Sequence, residues 1–150
     1  MNEGAAIRVA DALEAFRAAN DIPAKEGAFW TCRVGPLLLK LPNFSWRRKA
    51  VLAHDIHHVL TGTPCTMQGE CRMAAWEFGA GGMPHWGAAL FCLPLAVAGA
   101  IFNPRQTWLA FRDGSKSRTL HGASTLEPIL SMPLEQARHA IRRIGPDRVF

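Results

Sequence analysis

Charged residues are scarce in the middle of this chain. The 150 residues carry a net charge of +5, but positions 51–100 contain only Arg72 as a basic residue, against Asp55, Glu70 and Glu77. A nucleic-acid-binding protein normally combines basic and aromatic residues along a contact face, so we do not expect a nucleic acid as partner. Basic ends that flank an apolar, slightly acidic centre suit an anionic membrane surface, an anionic ligand or simply a solvated basic surface.

Cysteine pairs of the CxxC type are also absent. The cysteines are Cys32, Cys65, Cys71 and Cys92, and the N-terminus mixes acidic and basic residues at a helical period without a secretory signal. Both observations predict reduced thiols in the cytoplasm rather than a disulfide framework. Cys32 and Cys92 are most simply interpreted as small buried hydrophobic residues. Tyrosine is missing altogether, which gives no indication of function.

Apolar runs are too short for a membrane-spanning helix, which needs about 20 residues. The apolar stretch WGAALFCLPLAVAGAIF at 86–102 has 17 residues and is interrupted by Pro94. A spanning helix is therefore disfavoured. The stretch instead predicts a buried helix, or a helix that lines an apolar pocket.

Apolar residues recur at helical spacing along most of the chain, which predicts an all-α fold. Helices are expected over 5–19, over 46–60 with Ser45 as the N-cap, from about Thr66 to Phe78, over 103–112, and from near Pro133 to a stop at Gly145-Pro146. Segment 27–42 contains several glycines and prolines and is expected to form short pieces. The length favours one domain over 1–150, with an N-terminal segment 1–44 that carries no recognised motif and a helical core over 45–145.

Four candidate metal ligands lie within the segment HDIHHVLTGTPCTMQGE at 54–70, namely His54, Asp55, His58 and Glu70. Residues four apart share one face of a helix, so the two histidines can bind one ion. Asp55 lies about 100° around the helix and is either a third ligand or an acceptor for the second ring N–H of a ligating histidine. Mixed nitrogen and oxygen ligands with an open position indicate a catalytic zinc or other divalent ion.

The turn Thr61-Gly62-Thr63-Pro64 brings Glu70 back towards the histidines. Gly62 suits the left-handed conformation that ends many helices. A turn this tight predicts that the two flanking helices pack antiparallel. We therefore expect a single compact helical domain in which this helix pair carries a metal site beside an apolar ligand groove.

Two other interpretations of the segment remain open. Histidines near a helix end can simply cap carbonyl groups or lie in a polar patch. Cys65 and Cys71 could instead complete a closed, structural Cys2His2 zinc site with His54 and His58, although the Cys-x5-Cys spacing is unusual for a zinc knuckle. His57 lies between the two candidate ligands, points away from them, and is assigned to the surface or to packing.

The motif HDxxH, followed by eleven residues and a glutamate, resembles the signature of the coenzyme Q biosynthesis protein 4 family. The intervening Leu60, Gly62, Pro64, Thr66 and Gly69 also fit the pattern of that family. A similar order continues downstream: a Trp-Glu pair (Trp76, Glu77), a glycine and proline break, an apolar helix, a basic loop (GSKSRTL) and a short terminal helix. The resemblance covers most of residues 45–145.

The resemblance implies an all-helical fold, a zinc-type divalent ion on His54, Asp55, His58 and Glu70, and an apolar groove for a polyprenylated aromatic lipid. It implies a metal-dependent decarboxylase or lyase of ubiquinone biosynthesis that removes the ring C1 carboxyl group oxidatively. A non-catalytic prenyl-lipid scaffold for a quinone-biosynthesis complex is the alternative. The implied location is cytoplasmic and peripheral to the inner membrane, with other quinone-biosynthesis proteins as partners and a homodimer left open.

Overall fold

The computed structural model describes residues 6–23, 27–34 and 37–142. Within these ranges the chain forms seven helices and one two-stranded sheet. The elements are α1 (Val9–Ala19), β1 (Phe29–Val34), β2 (Leu37–Pro42), α2 (Ser45–Thr61), α3 (Met67–Gly79), α4 (Trp86–Phe102), α5 (Pro104–Gly114), α6 (Glu127–Ser131) and α7 (Leu134–Ala140). The predicted helical character is confirmed, whereas the hairpin and α6 were not predicted.

The hairpin of β1 and β2 departs from the all-α prediction. The strands pair antiparallel from Phe29 opposite Pro42 to Val34 opposite Leu37. A short apolar run such as the LLL at the start of β2 fits a strand or a buried helix equally well, because periodicity does not separate the two. Here the backbone pairing of this run with β1 makes it a strand.

Two helix starts differ from prediction for local reasons. Helix α1 begins at Val9 because the backbone of Arg8 is extended and pairs with Pro133, and the N–H of Val9 donates to the carbonyl of Met132 at 3.0 Å. The predicted start at residue 5 lies outside the described residues. In α2, Ser45 is the first helical residue and the extended Phe44 precedes it, so the prediction of Ser45 as the N-cap is wrong by one position.

Glycine and proline mark the boundaries of two helices. Gly62 ends α2 with a φ of 68°, which confirms the left-handed conformation expected there. Helix α7 is preceded by Pro133 and ends at Ala140. The predicted stop at Gly145-Pro146 lies outside the described residues.

Buried apolar residues from or next to α1, α2, α3, α6 and α7 form the core. They are Val9, Leu13, Ala53, Ile56, Val59, Leu60, Met73, Trp76, Ala80, Leu126, Ile129, Ala137 and Ile141. Helix α3 also packs against α5 and against α4. A Cβ added at Gly114 would lie 2.0 Å from the Trp76 carbonyl oxygen, and one added at Gly79 would lie 2.1 Å from that of Phe111. The absence of side chains at these two positions therefore allows α3 and α5 to approach closely.

Helix α4 is exposed over much of its length rather than buried. Its exposed large apolar residues are Trp86, Leu90, Phe91, Leu93, Val97, Ile101 and Phe102. The buried positions are the small residues Gly87, Ala88 and Gly99, which lie where the helix contacts its neighbours. No helix in the described ranges is both long and apolar enough to cross a bilayer.

Candidate metal centre

The tight turn between α2 and α3 places Glu70 beside the histidines of α2. Thr66 caps α3 by accepting a hydrogen bond from the N–H of Gly69 at 3.1 Å. A Cβ at Gly69 would lie 1.8 Å from the carbonyl oxygen of Pro64, so only glycine allows the chain to fold back this closely. Glu70 follows at once, in the first turn of α3.

Three side-chain groups converge at this point. Nε2 of His54 lies 3.0 Å from Oε2 of Glu70, Nε2 of His58 lies 3.2 Å from Oε1 of Glu70, and the two Nε2 atoms are 3.1 Å apart. Ligand atoms bound at about 2.0–2.2 Å to one ion stand roughly 3–3.5 Å from one another. The separations therefore fit a shared divalent cation.

The hydrogen bonds of the outer ring nitrogens fix which nitrogen faces the site. Nδ1 of His58 lies 2.8 Å from the carbonyl oxygen of Thr63, and Nδ1 of His54 lies 3.0 Å from both carboxylate oxygens of Glu77. Carbonyl and carboxylate oxygens only accept, so both Nδ1 atoms carry the proton. In their neutral forms both rings then direct an Nε2 lone pair at the Glu70 carboxylate. The three acceptors then have no donor between them, so either a bound cation or an additional proton must compensate them.

The electrostatics of the cluster favour positive charge. Burial lowers the pKa of His54, but the carboxylates of Glu77 and Glu70 outweigh it and raise that pKa to about 10. Burial raises the pKa of Glu70, but hydrogen bonds and charge from His54 and His58 outweigh it and bring that pKa below its usual range. Without a metal, the centre therefore retains a proton among the three groups.

Asp55 lies outside this cluster. Its Oδ2 accepts hydrogen bonds from Nε and Nη2 of Arg17 on α1, at 2.9 and 2.7 Å. Burial raises the pKa of the Asp55 carboxyl, and the Arg17 guanidinium opposes that shift. Among the described residues, no group of three close ligand atoms includes Asp55. Its assignment as a ligand stays a prediction from the motif.

The cysteines beside the motif do not join the histidines. In the described part of the chain, no group of three close ligand atoms contains Cys65 or Cys71. Cys65 is exposed at the surface. Partial burial of its thiol and the neighbouring Glu70 carboxylate raise the pKa of that thiol to about 11. Cys71 is buried, and its Cβ lies 3.1 Å from where a Cβ at Gly99 of α4 would be. The Cys2His2 interpretation thus finds no support in this arrangement.

Sequence reasoning did not find a second set of polar residues behind the site. His57 is fully buried, and its Nδ1 lies 2.7 Å from Oε1 of Glu77; its interpretation as packing fits, whereas a surface position is wrong. His121, in the loop after α5, places Nε2 2.9 Å from the same oxygen. Glu77 follows Glu70 by seven positions, or two helical turns, and this spacing could have indicated it. No local pattern identifies His121.

An apolar cavity of about 430 Å³ opens beside the site. Its walls come from the hairpin, α2, α3, α4 and two loops: Trp30, Trp46, Arg47, Ala50, Val51, His54, Glu70, Met83, Ala88, Phe91, Cys92, Leu95 and His121. The Arg47 guanidinium lies over the Trp30 ring, 4.1 Å from its centroid. Cys92, expected to be fully buried, is partly exposed and lines this cavity. Polar groups at one end of an apolar space are typical of a small-molecule site.

No protein-family model matches this chain, and no curated protein is significantly similar to it.

Proposed function

We propose that this chain is a metal-dependent protein of ubiquinone or related prenylated-quinone biosynthesis. The reaction proposed is oxidative removal of the ring C1 carboxyl group of a polyprenylated aromatic acid as CO₂, catalysed as a decarboxylase or lyase. The two electrons released when water supplies the hydroxyl group that replaces the carboxyl pass to an external acceptor such as dioxygen, because zinc has no redox chemistry. His54, His58 and Glu70 hold zinc or another divalent ion. The reaction class comes from the resemblance of the HDxxH segment, whereas the ion comes from the geometry.

The observation that supports a bound metal ion is the convergence of three acceptor groups. Two imidazole Nε2 atoms and one carboxylate meet within 3.0–3.2 Å, and the outer nitrogens of both rings are committed to Thr63 and Glu77. A bound divalent ion would supply Lewis acidity to a carboxylate or phenolate oxygen of the ligand. Only three protein ligands are present in the cluster, which leaves positions for water or substrate.

The cavity supports an apolar ligand with a polar head. Aromatic and aliphatic side chains form most of its wall, and His54, Glu70 and His121 lie together at one end. A ring with a carboxyl group could meet the ion at that end, while Trp30, Phe91 and their neighbours exclude water from the tail. Burial of such a tail contributes about 0.8 kcal/mol per methylene.

The exposed face of α4 supports association with a membrane surface. The helix has no charged residue, and Ile101 and Phe102 near its end are 68% and 85% exposed. The exposed basic residues Arg105 and Arg112 follow on α5. An apolar face with flanking arginines fits the interface of an anionic bilayer. We therefore propose a peripheral location at the inner membrane, together with other quinone-biosynthesis proteins.

The test combines metal analysis with product analysis. The purified protein is expected to contain close to one divalent ion per chain, and its lipid extract a prenylated aromatic compound detectable by mass spectrometry. With a precursor labelled with ¹³C in the carboxyl group, the wild type should release the label and Glu70→Gln should not. Glu127→Gln changes an exposed carboxylate on α6 and serves as the matched control.

Two results would overturn the proposal in different ways. Absence of a bound ion in wild type and in metal-supplemented protein would remove the metal centre. Absence of label release from folded, metal-loaded wild type, with prenyl lipid still bound, would favour a non-catalytic scaffold that presents the lipid to other proteins. Circular dichroism establishes that each variant is folded.

A further inference from the structure

Glu77 is the centre of a buried network that the ligand motif does not contain. Its side chain is fully buried. Oε1 lies 2.7 Å from Nδ1 of His57 and 2.9 Å from Nε2 of His121, and both oxygens lie 3.0 Å from Nδ1 of His54. A buried carboxylate is costly unless hydrogen bonds compensate its charge. Three imidazoles from two segments of the chain provide that compensation.

The donors of this network can be assigned from their other partners. Nε2 of His57 accepts a hydrogen bond from the backbone N–H of Leu120 at 3.0 Å. The proton of neutral His57 is therefore on Nδ1, which donates to Glu77. Nε2 of His121 and Nδ1 of His54 likewise face an acceptor and must donate. Glu77 thus receives N–H groups only, which suits its ionised form.

Of the three imidazoles that contact Glu77, His54 is the one that also belongs to the cluster with His58 and Glu70. The hydrogen bond to Glu77 therefore matters most for the orientation of His54. Because Nδ1 of His54 is fixed by Glu77, the ring turns Nε2 towards Nε2 of His58, at 3.1 Å, and towards Glu70, at 3.0 Å. Loss of this bond would free the ring to rotate and to exchange its tautomer. A carboxylate behind a ligating histidine fixes orientation and increases ligand basicity.

We propose that Glu77 is a positioning residue of the metal centre, which holds the Nδ1–H of His54 so that Nε2 meets a divalent cation together with His58 and Glu70. This inference rests on the proposed metal site. It differs from a role of Glu77 as a ligand, for which the groups His54–Glu77–Cys92 and His57–Glu77–His121 would be the candidates. In the second group both ring nitrogens of His57 are already in hydrogen bonds, Nδ1 with Glu77 and Nε2 with the backbone N–H of Leu120.

The first experiment uses Co²⁺ as a spectroscopic probe on the full chain. Glu77→Gln is expected to raise the Kd for Co²⁺ about 10–100-fold while the positions of the visible absorption bands stay those of wild type. Glu70→Gln, which removes a ligand, should change the bands. Glu127→Gln, which removes an exposed carboxylate on α6, is the matched control and should leave the Kd at the wild-type value. Changed bands in Glu77→Gln, or wild-type affinity in that variant when folded, would overturn the inference.

The second experiment does not depend on the metal. In metal-free wild-type protein labelled with ¹⁵N-histidine, nuclear magnetic resonance should show a slowly exchanging Nδ1–H on His54, along with Nδ1–H on His57 and Nε2–H on His121. An unprotonated Nδ1 on His54 would overturn the inference even if Glu77→Gln does not fold. If wild type binds no Co²⁺ but these three signals are present, the metal centre fails and the hydrogen-bond network stands.

Discussion

At the residue scale, the two facing histidines are oriented from behind by acceptors of different kinds. His58 donates to the carbonyl of Thr63, a backbone group in the turn after its own helix, and His54 donates to the carboxylate of Glu77 on α3. The backbone acceptor is neutral, whereas the carboxylate brings charge. The charge of Glu77 and that of Glu70 raise the pKa of His54 against the effect of burial.

Metal binding should depend strongly on pH. The pKa of His54 is raised to about 10 by Glu77 and Glu70 against the effect of burial, and the pKa of Glu70 is lowered, so below pH 10 the ion must displace a proton from His54. The affinity for Zn²⁺ should rise about tenfold per pH unit between roughly pH 7 and 9. Competition with a chromophoric chelator measures this slope. A flat profile would mean that no proton leaves the site.

In the metal-free protein, the raised pKa of His54 also makes the free energy of unfolding depend on pH. The pKa of His54 in the folded state lies above its ordinary value of 6.5. Its contribution to the free energy of unfolding is therefore fully present below pH 6.5 and is lost as the pH rises through about 10. Urea titrations at pH 7 and pH 10 should show this loss, and His54→Gln should reduce the difference between the two pH values.

Substitution of Asp55 can distinguish a structural role of this residue from a role as a metal ligand. Its pair with Arg17 is largely buried, with side chains 7% and 14% exposed. Removal of one member of a largely buried ion pair is strongly destabilising, so Asp55→Asn should lower the free energy of unfolding by about 3 kcal/mol. If the pair is its only role, the Co²⁺ bands of the folded variant stay unchanged. Asp11→Asn, in the exposed pair with Arg8, should have little effect. Altered bands in Asp55→Asn would support ligation by Asp55.

At the scale of elements, glycines decide how closely the helices approach. Gly69 allows the return of the chain from α2 to α3, and Gly79 and Gly114 allow α5 to contact the backbone of α3. Helix α3 carries both Glu70 and Glu77, and Trp76 of the same helix is part of the core. Packing against α5 therefore holds the helix that supplies both carboxylates of the site.

Substitution at Gly114 should disturb this packing. The added Cβ of Gly114→Ala would lie 2.0 Å from the Trp76 carbonyl oxygen, so the helices must separate. We expect a loss of about 3 kcal/mol in unfolding free energy, together with weaker Co²⁺ binding through displacement of α3. Gly122→Ala is the matched control because nothing lies within 4 Å of its Cβ. Equal melting temperatures for the two variants would contradict the packing described.

At the scale of the whole molecule, the distribution of apolar surface is uneven. The core is built around α1, α2, α3, α6 and α7, while α4 and α5 leave large apolar side chains such as Phe102 and Trp108 exposed. Extensive exposed apolar surface generally marks an interaction site. The cavity opens between α2, the hairpin and α4, so an apolar ligand could enter from the side where α4 lies.

Binding to vesicles tests the role assigned to this surface. Vesicles that contain anionic lipid should bind the wild type, since both apolar burial and positive charge contribute. Replacement of Ile101 and Phe102 by glutamate should abolish most co-sedimentation and leave the circular dichroism spectrum unchanged. The double variant Ile7→Glu/Met67→Glu introduces the same two negative charges at other highly exposed apolar positions, 63% and 73% accessible, and should retain binding. Equal losses in both variants would show that charge alone matters.

The convergence of His54 and His58 could be predicted from sequence because its determinants are local. Helical spacing places His54 and His58 on one face, and the conformational freedom of glycine at Gly62 ends the helix in time for Glu70 to return. These features depend on neighbours within a few positions. The predicted helical character follows for the same reason, since periodicity is a property of short segments.

Only the tertiary structure decided the rest. The partners of Asp55 and Glu77, namely Arg17 and His121, lie 38 and 44 positions away in sequence, and no local pattern indicates such contacts. The hairpin also depends on pairing, because its apolar residues are compatible with either secondary structure. Sequence alone therefore determined which groups could face one ion, and packing between distant segments determined which groups hold them in place and what cavity they meet.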